Sequence, residues 1–415
     1  MKPITAVVLG AGSRGSIYAG YAKEHPEALR IIAIAEPRRD RLDALAEEVD
    51  VPAERRFENW EDLLSQPKLA DCAFICTLDD DHTAPAIKAM ELGYHLLLEK
   101  PMSNKEDECR LIAETAHRTG RTLAVCHVLR YTPFYMTLKA LIDQGEVGQV
   151  TTINQIENVG YWHQAHSFVR GNWRNAKETS PMILQKSCHD MDIILWLMGS
   201  PCTRVQSFGS LGYFTPENAP QGAARRCLDG CPHVDLCPYS APKLYLDMER
   251  TGWPVDVIAT DMSLEGRRKA LEEGPYGRCV YYCDNDVVDR QVVNLEFQNG
   301  GVATFTMTGL SADFCRQLKI FGTEGQIQAN MGTKEIILHR FGEEPRTIPV
   351  DMGLEASGHG GGDYGIMAEF LQILRDGGES RTSAEISLQS HLICFAAERS
   401  RKEHTVVTLQ GGNRP

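Results

Sequence analysis

The chain has 415 residues, more than one ordinary domain needs and enough for two sizeable cores. Asp and Glu number 56 against 43 Lys and Arg, a net charge of −13, which argues against nucleic acid or an anionic membrane as the main partner. No stretch approaches the ~20 apolar residues that cross a bilayer. With an apolar strand already under way at Ile4, no signal peptide is expected, and a cytoplasmic protein is.

The apolar run at 4–9 reads as a strand leading straight into Gly10-Ala11-Gly12-Ser13-Arg14-Gly15, a G-x-G-x-x-G turn. Gly10 permits the tight turn, Gly12 lets the backbone approach a pyrophosphate, and Gly15 lets a helix expected at about 16–24 pack closely on the strand. The pyrophosphate would sit on the helix N-terminus, beside Ser13 and Arg14, where free N–H groups and the helix dipole favour an anion. A second apolar strand at 31–35 ends in Glu36, the acid expected on the adenosine ribose hydroxyls. Its charge would repel a 2′-phosphate and favours NAD over NADP, with Arg38 and Arg39 nearby as the opposing influence.

Further along, a helix at about 40–49 precedes a buried strand at 71–77. A helix at 83–92 leads to a strand at 95–98, which runs into Glu99-Lys100-Pro101. A helix at 105–119 and a strand at 122–126 follow. This alternation predicts a doubly wound parallel sheet, a Rossmann α/β domain over 1–127. Beyond it the strands become longer alternating runs. Residues 292–297 and 302–307, separated by Gln298-Asn299-Gly300-Gly301, read as a hairpin. A second, α+β domain over 128–415 with a large open, mostly antiparallel sheet is predicted, carrying a Pro-, Gly- and Cys-rich insertion at about 213–285.

Four groups of residues carry candidate chemistry. Lys100 ends a parallel strand, the edge where doubly wound sheets bind ligands. The segment 183–197 reads as one helix, so His189 and Asp192, three apart, share a face, and an imidazole titrates near neutrality. Residues 160–174 mix rings and hydrogen-bonding groups (Tyr161, Trp162, His163, His166, Arg170, Trp173) as a carbohydrate site does, and the Gly-rich stretch from His359 to Asp363 can bring both near a ligand. Finally, Cys227, Cys231, Cys237 and Cys279 suit one structural zinc, with an iron–sulfur cluster as the alternative and Cys283 or His233 as possible substitutes.

Taken in order, Gly10 to Gly15, Glu36, Ile75-Cys76-Thr77 with His82, Glu99-Lys100-Pro101, Trp173-Arg174, Cys188-His189-Asp190-Met191-Asp192 and Ala396-Ala397-Glu398-Arg399-Ser400 resemble the glucose-fructose oxidoreductase, inositol dehydrogenase and rhizopine-catabolism family, Gfo/Idh/MocA. The resemblance implies an NAD(P)-binding Rossmann domain followed by an open β-sheet domain, with a sugar or cyclitol held between sheet and nicotinamide. It implies that Thr77, His82 and Glu99 lie on the cofactor side and that Lys100 contacts the reacting hydroxyl. The family's aspartate four residues before the histidine is Gln185 here, so Lys186 is the candidate to stand in its place.

The leading expectation is an NAD-dependent oxidoreductase acting on a secondary hydroxyl of a sugar, glycoside or cyclitol. A redox-neutral glycoside hydrolase (oxidation, elimination, re-reduction) is the rival, and a non-catalytic NAD- or sugar-sensing regulator the third. A homo-oligomer built through the second sheet is also expected.

Overall fold

The structure, a computed structural model, describes residues 2–350 and 359–409. Six parallel strands form the first sheet: β1 (Ile4–Leu9), β2 (Leu29–Ala35), β3 (Arg56–Phe57), β4 (Cys72–Ile75), β5 (His95–Leu98) and β6 (Leu123–Val125), in the order β3-β2-β1-β4-β5-β6. Their runs are apolar throughout because helices cover both faces: Ala6, Val7, Val8 and Leu9 are all wholly buried, alternate members serving opposite layers. The order reverses direction beside β1, so the C-terminal ends of β1, β4 and β5 open onto one crevice.

The second sheet has nine strands among the described residues: β7 (Val150–Asn158), β8 (Cys202–Ser210), β9 (Arg290–Phe297), β10 (Val302–Thr308), β11 (Cys315–Gly322), β12 (Gly325–Asn330), β13 (Glu335–Arg340), β14 (Arg346–Ile348) and β15 (Val407–Thr408). They run β14-β13-β12-β11-β7-β10-β9-β8-β15, antiparallel except where β10 lies parallel to β7. The hairpin read from the sequence is present, in a register from Val302 opposite Glu296 to Thr308 opposite Arg290. One face of this sheet carries helices and the main core, where Ile153, Val293, Phe305 and Ile320 are buried.

Two late helices tie the sheets together. Helix Gly362–Asp376 returns to the first sheet and adds Ile366, Met367, Phe370 and Leu371 to its core. Helix Ala384–Glu403 gives Ala384 to the first sheet's other layer and Ile393, Cys394, Ala396 and Ala397 to the core of the second. No described helix is long and apolar enough to cross a membrane.

Three expectations need correcting. The first helix begins at Ser13, earlier than 16, because the glycine turn itself winds into it. The single helix expected at 183–197 is two, Met182–Gln185 and Cys188–Met198, with a break at Lys186 and Ser187. That break interrupts the continuous helical face assumed for Lys186 and His189. Asp192, grouped with the substrate residues on that face, instead receives both arms of Arg130, 2.7 Å each, in a pair almost entirely out of water.

A buried carboxylate of this kind is strongly stabilising only relative to leaving its partner alone. Asp192→Asn is therefore expected to cost about 3–5 kcal/mol in urea denaturation, by stranding the Arg130 charge. A loss below ~1 kcal/mol, the scale of an exposed pair, would show that the pair does not hold the fold.

Candidate functional site

The crevice at the strand ends is shaped first by the glycines. Gly10 has φ +96°, and a side chain there would stand 2.4 Å from the Cys76 carbonyl oxygen. A Cβ on Gly15 would meet the Gly10 carbonyl oxygen at 1.9 Å, so the helix can sit this close only without one. Gly12 is different: its nearest neighbour is the end of the Arg41 side chain, at 3.7 Å, and the space beside it is open at the helix N-terminus. A dinucleotide pyrophosphate fits that space and the N–H groups facing it.

Glu36 ends β2 buried, its carboxylate accepting hydrogen bonds from the Ala11 amide (2.7 Å) and the Arg38 amide (3.0 Å). The side chains that oppose it are already engaged, Arg38 with Asp40 at 2.8 Å and Arg39 with Asp43 at 2.7 Å. Thr77 lies just past β4, and His82 caps the helix Thr83–Glu91 that follows. The His82 ring bridges the carbonyls of Pro101 (2.7 Å) and Thr77 (3.1 Å), which fixes the two loops to each other.

The Arg14 side chain is held by two carboxylates. Its guanidinium donates to Glu99 (2.7 Å) and to Asp363 (2.6 and 3.1 Å), and it also bonds Tyr18. Tyr18 in turn donates to Glu99 at 2.8 Å. Burial alone would raise the Glu99 carboxyl, but the Arg14 and Lys100 charges overcome it and hold the pKa below the usual range. Asp363 behaves likewise: burial pushes up, while the His359 hydrogen bond and Arg14 hold it down at about 2. His359, with φ +57°, keeps its Nδ1 3.2 Å from Asp363 and turns its ring towards His189, with centroids 6.0 Å apart.

Lys100, just past β5, donates from Nζ to the backbone carbonyl of Gln185 at 2.7 Å, joining the two halves of the site. The Gln185 side chain plays no part in that bond; any residue at 185 supplies the carbonyl. His189 is buried, its Nδ1 has no hydrogen-bond partner among the described residues, and its pKa lies well below the ordinary value because burial and then the nearby Lys100 charge disfavour the imidazolium.

A group that sequence reasoning missed completes the floor. On β7 the inward residues Ile153, Gln155 and Glu157 end in a carboxylate, and Glu157 pairs across the sheet with Arg316 of β11 at 2.7 Å. Arg316 also donates to Asp190 at 2.8 and 3.1 Å, while Lys186 stands 3.4 Å from Glu157 and above the Phe314 ring. Burial raises Glu157 to about 6 against the pull of Arg316, and burial lowers Lys186. The alternation of β7 and β11 was the available signal: a charged residue in an inward position of each strand.

The aromatic segment is spent differently. His166 bonds the Tyr245 hydroxyl at 2.8 Å and stacks on Tyr276, Arg170 donates to the carbonyls of Arg278 and Tyr239, and Tyr161 packs on Tyr239. Trp162 and His163 cluster with Trp253 and Phe314, and Trp173 donates to buried Asp79 at 3.4 Å. Most of these groups therefore pack the segment 211–288 onto the sheet, with Phe314 linking Trp162 and His163 to Lys186. Cys227, Cys231, Cys237 and Cys279 line one cavity away from Lys100, but no described group of three or more His, Cys, Asp or Glu is arranged to hold a metal ion.

Residues 4–127 match a family model described as an oxidoreductase family with an NAD-binding Rossmann fold, and residues 139–409 match that family's C-terminal alpha/beta domain. A Bacillus subtilis protein carrying the name oxidoreductase YteT is 24% identical over 308 residues, 71% of this chain and 70% of the relative. A 2,7-anhydro-N-acetylneuraminate hydratase of Mediterraneibacter gnavus is 26% identical over 209 residues, 50% of this chain and 53% of its own length. Among solved structures, a levoglucosan dehydrogenase in complex with NADH and L-sorbose superposes with a TM-score of 0.74 at 19% identity, covering 99% of this chain and 100% of that one.

The contrast between two glycines tests the pyrophosphate space. Gly12→Ala is expected to leave thermal stability within about 0.5 kcal/mol, as a change in open space does, yet to weaken dinucleotide binding in a titration. Gly15→Ala should fail to fold or melt far lower. Unaltered dinucleotide affinity in folded Gly12→Ala would move the pyrophosphate elsewhere.

Proposed function

For a chain that belongs to the Gfo/Idh/MocA oxidoreductase family, we propose an NAD-dependent oxidation of a secondary hydroxyl on a sugar, glycoside or cyclitol. The observation that carries this reading is the junction of Lys100 with Gln185, which sets a cation from the end of a parallel strand beside a neutral, buried His189. The open space at Gly12 and the Glu36 carboxylate fit a dinucleotide, and the prior pairing of Arg38 and Arg39 favours NAD over NADP. NAD, when bound, supplies the hydride acceptor.

The protein's part is the proton and the charge. Lys100 stabilises negative charge developing on the substrate oxygen, a role in which a preoriented cation in a site shielded from water is most effective. His189, kept neutral, accepts the hydroxyl proton. Glu157 and Lys186 form a buried acid–base pair in the same site, with Arg316, itself paired with Asp190, holding Glu157 in place. His359, oriented by Asp363, closes the other side. The levoglucosan dehydrogenase likeness supports a carbohydrate substrate at the level of fold.

A second reading has a specific observation behind it. Glu157, raised to about 6, can take a proton from carbon next to a transient carbonyl, as a redox-neutral cleavage requires, and one relative is named a hydratase of an anhydro sugar. Incubation with NAD and a panel of sugars, cyclitols and glycosides separates the readings. Net NADH identifies the dehydrogenase, and product without net NADH the redox-neutral enzyme. Neither across the panel leaves a sensor.

Lys100→Ala is expected to lower turnover at least about a hundredfold, the scale of losing a positioned charge or proton-transfer group, with dinucleotide binding kept. Near-normal turnover in the folded variant would remove Lys100 from the chemistry. The pH profile should carry an acid limb: as pH falls through about 6, Glu157 gains a proton and its charge no longer balances Lys186 and Arg316. kcat/KM should therefore fall below that pH, and Glu157→Gln should abolish the limb. An unchanged limb would assign it to another group.

A further inference from the structure

Arg14, Arg38, Arg39 and Arg56 are each committed to a carboxylate. Arg14 serves Glu99 and Asp363, Arg38 pairs with Asp40 at 2.8 Å, and Arg39 and Arg56 share Asp43 at 2.7 and 3.0 Å. Arg41 is different: its guanidinium has no ion pair or hydrogen bond among the described residues. The sequence explains why. Arg41 lies in the first turn of helix Arg39–Glu48, and the residues three and four positions away are Pro37, Arg38, Ala44 and Leu45, none of them acidic. Asp40 beside it is occupied by Arg38 and by the Thr260 hydroxyl, which donates to it at 2.7 Å. Three carboxylates, Glu36, Asp40 and Asp43, thus face four guanidiniums, Arg38, Arg39, Arg41 and Arg56, and one positive charge is in excess.

That excess charge stands at the cofactor space. The end of the Arg41 side chain is 3.7 Å from where a Cβ on Gly12 would lie, and Gly12 is the glycine whose open side fits a pyrophosphate. Tyr276, in the segment between β8 and β9, is near enough for the Arg41 charge to pull its phenol pKa down against the burial that raises it. The Tyr276 ring is itself stacked on His166, with centroids 4.8 Å apart. With Thr260 on Asp40, the inserted segment meets the start of this helix at two neighbouring residues.

On the dinucleotide reading above, we propose that Arg41 is a cofactor-binding residue whose guanidinium pairs with the pyrophosphate, opposite the N–H groups of the glycine turn. A guanidinium reaches two phosphate oxygens at once, and such charge-assisted bonds are the strong ones. The helix N-terminus supplies only about half a unit of positive charge. A doubly ionised pyrophosphate therefore needs a full cation as well, and Arg14, bound to two carboxylates, is not free to be it. A phosphate on the ribose 2′ oxygen is the less fitting partner, because Glu36 would repel it. The pyrophosphate is held from two elements, the turn after β1 and the helix after β2.

Isothermal titration of the full chain with NAD, ADP-ribose and NADP, at low and at raised KCl, tests this. Arg41→Ala is expected to weaken NAD and ADP-ribose by the same factor, about ten- to a hundredfold, the range for losing a hydrogen bond to a charged group. It should also flatten the loss of affinity with salt that the unaltered protein shows. If the alanine variant does not fold, Arg41→Gln, which keeps most of the stem and removes the charge, takes its place. Unchanged NAD affinity in a folded variant, or weakened binding with the salt dependence intact, would overturn the proposal. So would a loss confined to NADP, which would put Arg41 on the 2′-phosphate. An unaltered protein that binds neither NAD nor ADP-ribose would overturn the dinucleotide reading itself, and this proposal with it.

Discussion

The Arg14 guanidinium holds together three parts of the chain that are far apart in sequence: the glycine turn that carries it, Glu99 at the end of β5, and Asp363 at the start of the helix that returns to the first sheet. Both carboxylates are nearly out of water, so each needs this cation, and the cation can satisfy both only when β1, β5 and the returning helix are in register. Lys100 follows Glu99 directly, and His359 hangs on Asp363. One charge cluster thus sets the height of the lysine above the crevice and the approach of the histidine from the opposite side.

Across the crevice the second sheet solves a different problem. An open sheet face is apolar where helices cover it, yet near the end of β7 and the start of β11 it carries Gln155, Glu157 and Arg316. Three charges of one kind or an unpaired one would be costly there. Glu157 and Asp190 face Arg316 and Lys186, so opposite charges alternate and the group remains buried without large net charge. The compensation is incomplete for Glu157, whose pKa stays raised, and for His189, which is left neutral and with a free nitrogen. Glu157 therefore holds a proton more readily than an ordinary carboxylate, while His189 offers a free nitrogen whose proton affinity burial and Lys100 lower.

Local signals were legible where a residue's job depends on near neighbours in the chain. The spacing of Gly10, Gly12 and Gly15, the acid at the end of β2, and the alternation of helix with apolar strand all follow from backbone sterics and burial on two faces. The aromatic segment at 160–174 was legible as chemistry but not as place: rings and polar groups suit a carbohydrate or an internal packing face equally well, and contacts with Tyr239, Tyr245 and Tyr276 spend most of them on packing. The helix break at Lys186 was not legible, since Gln185, Lys186 and Ser187 carry no proline or glycine to mark it.

By itself the sequence determined the parallel dinucleotide-type sheet, the antiparallel-rich second sheet, and the place of Lys100 just past a parallel strand, because periodicity and turn chemistry act over a few residues. Tertiary structure alone decided that Arg14 serves Glu99 and Asp363, that Asp192 belongs to Arg130, and that Glu157 and Arg316 reach Lys186. Those partners lie tens to hundreds of residues apart, and a buried charge is matched by whichever opposite charge the packing of sheets and helices brings within reach, which no local pattern records.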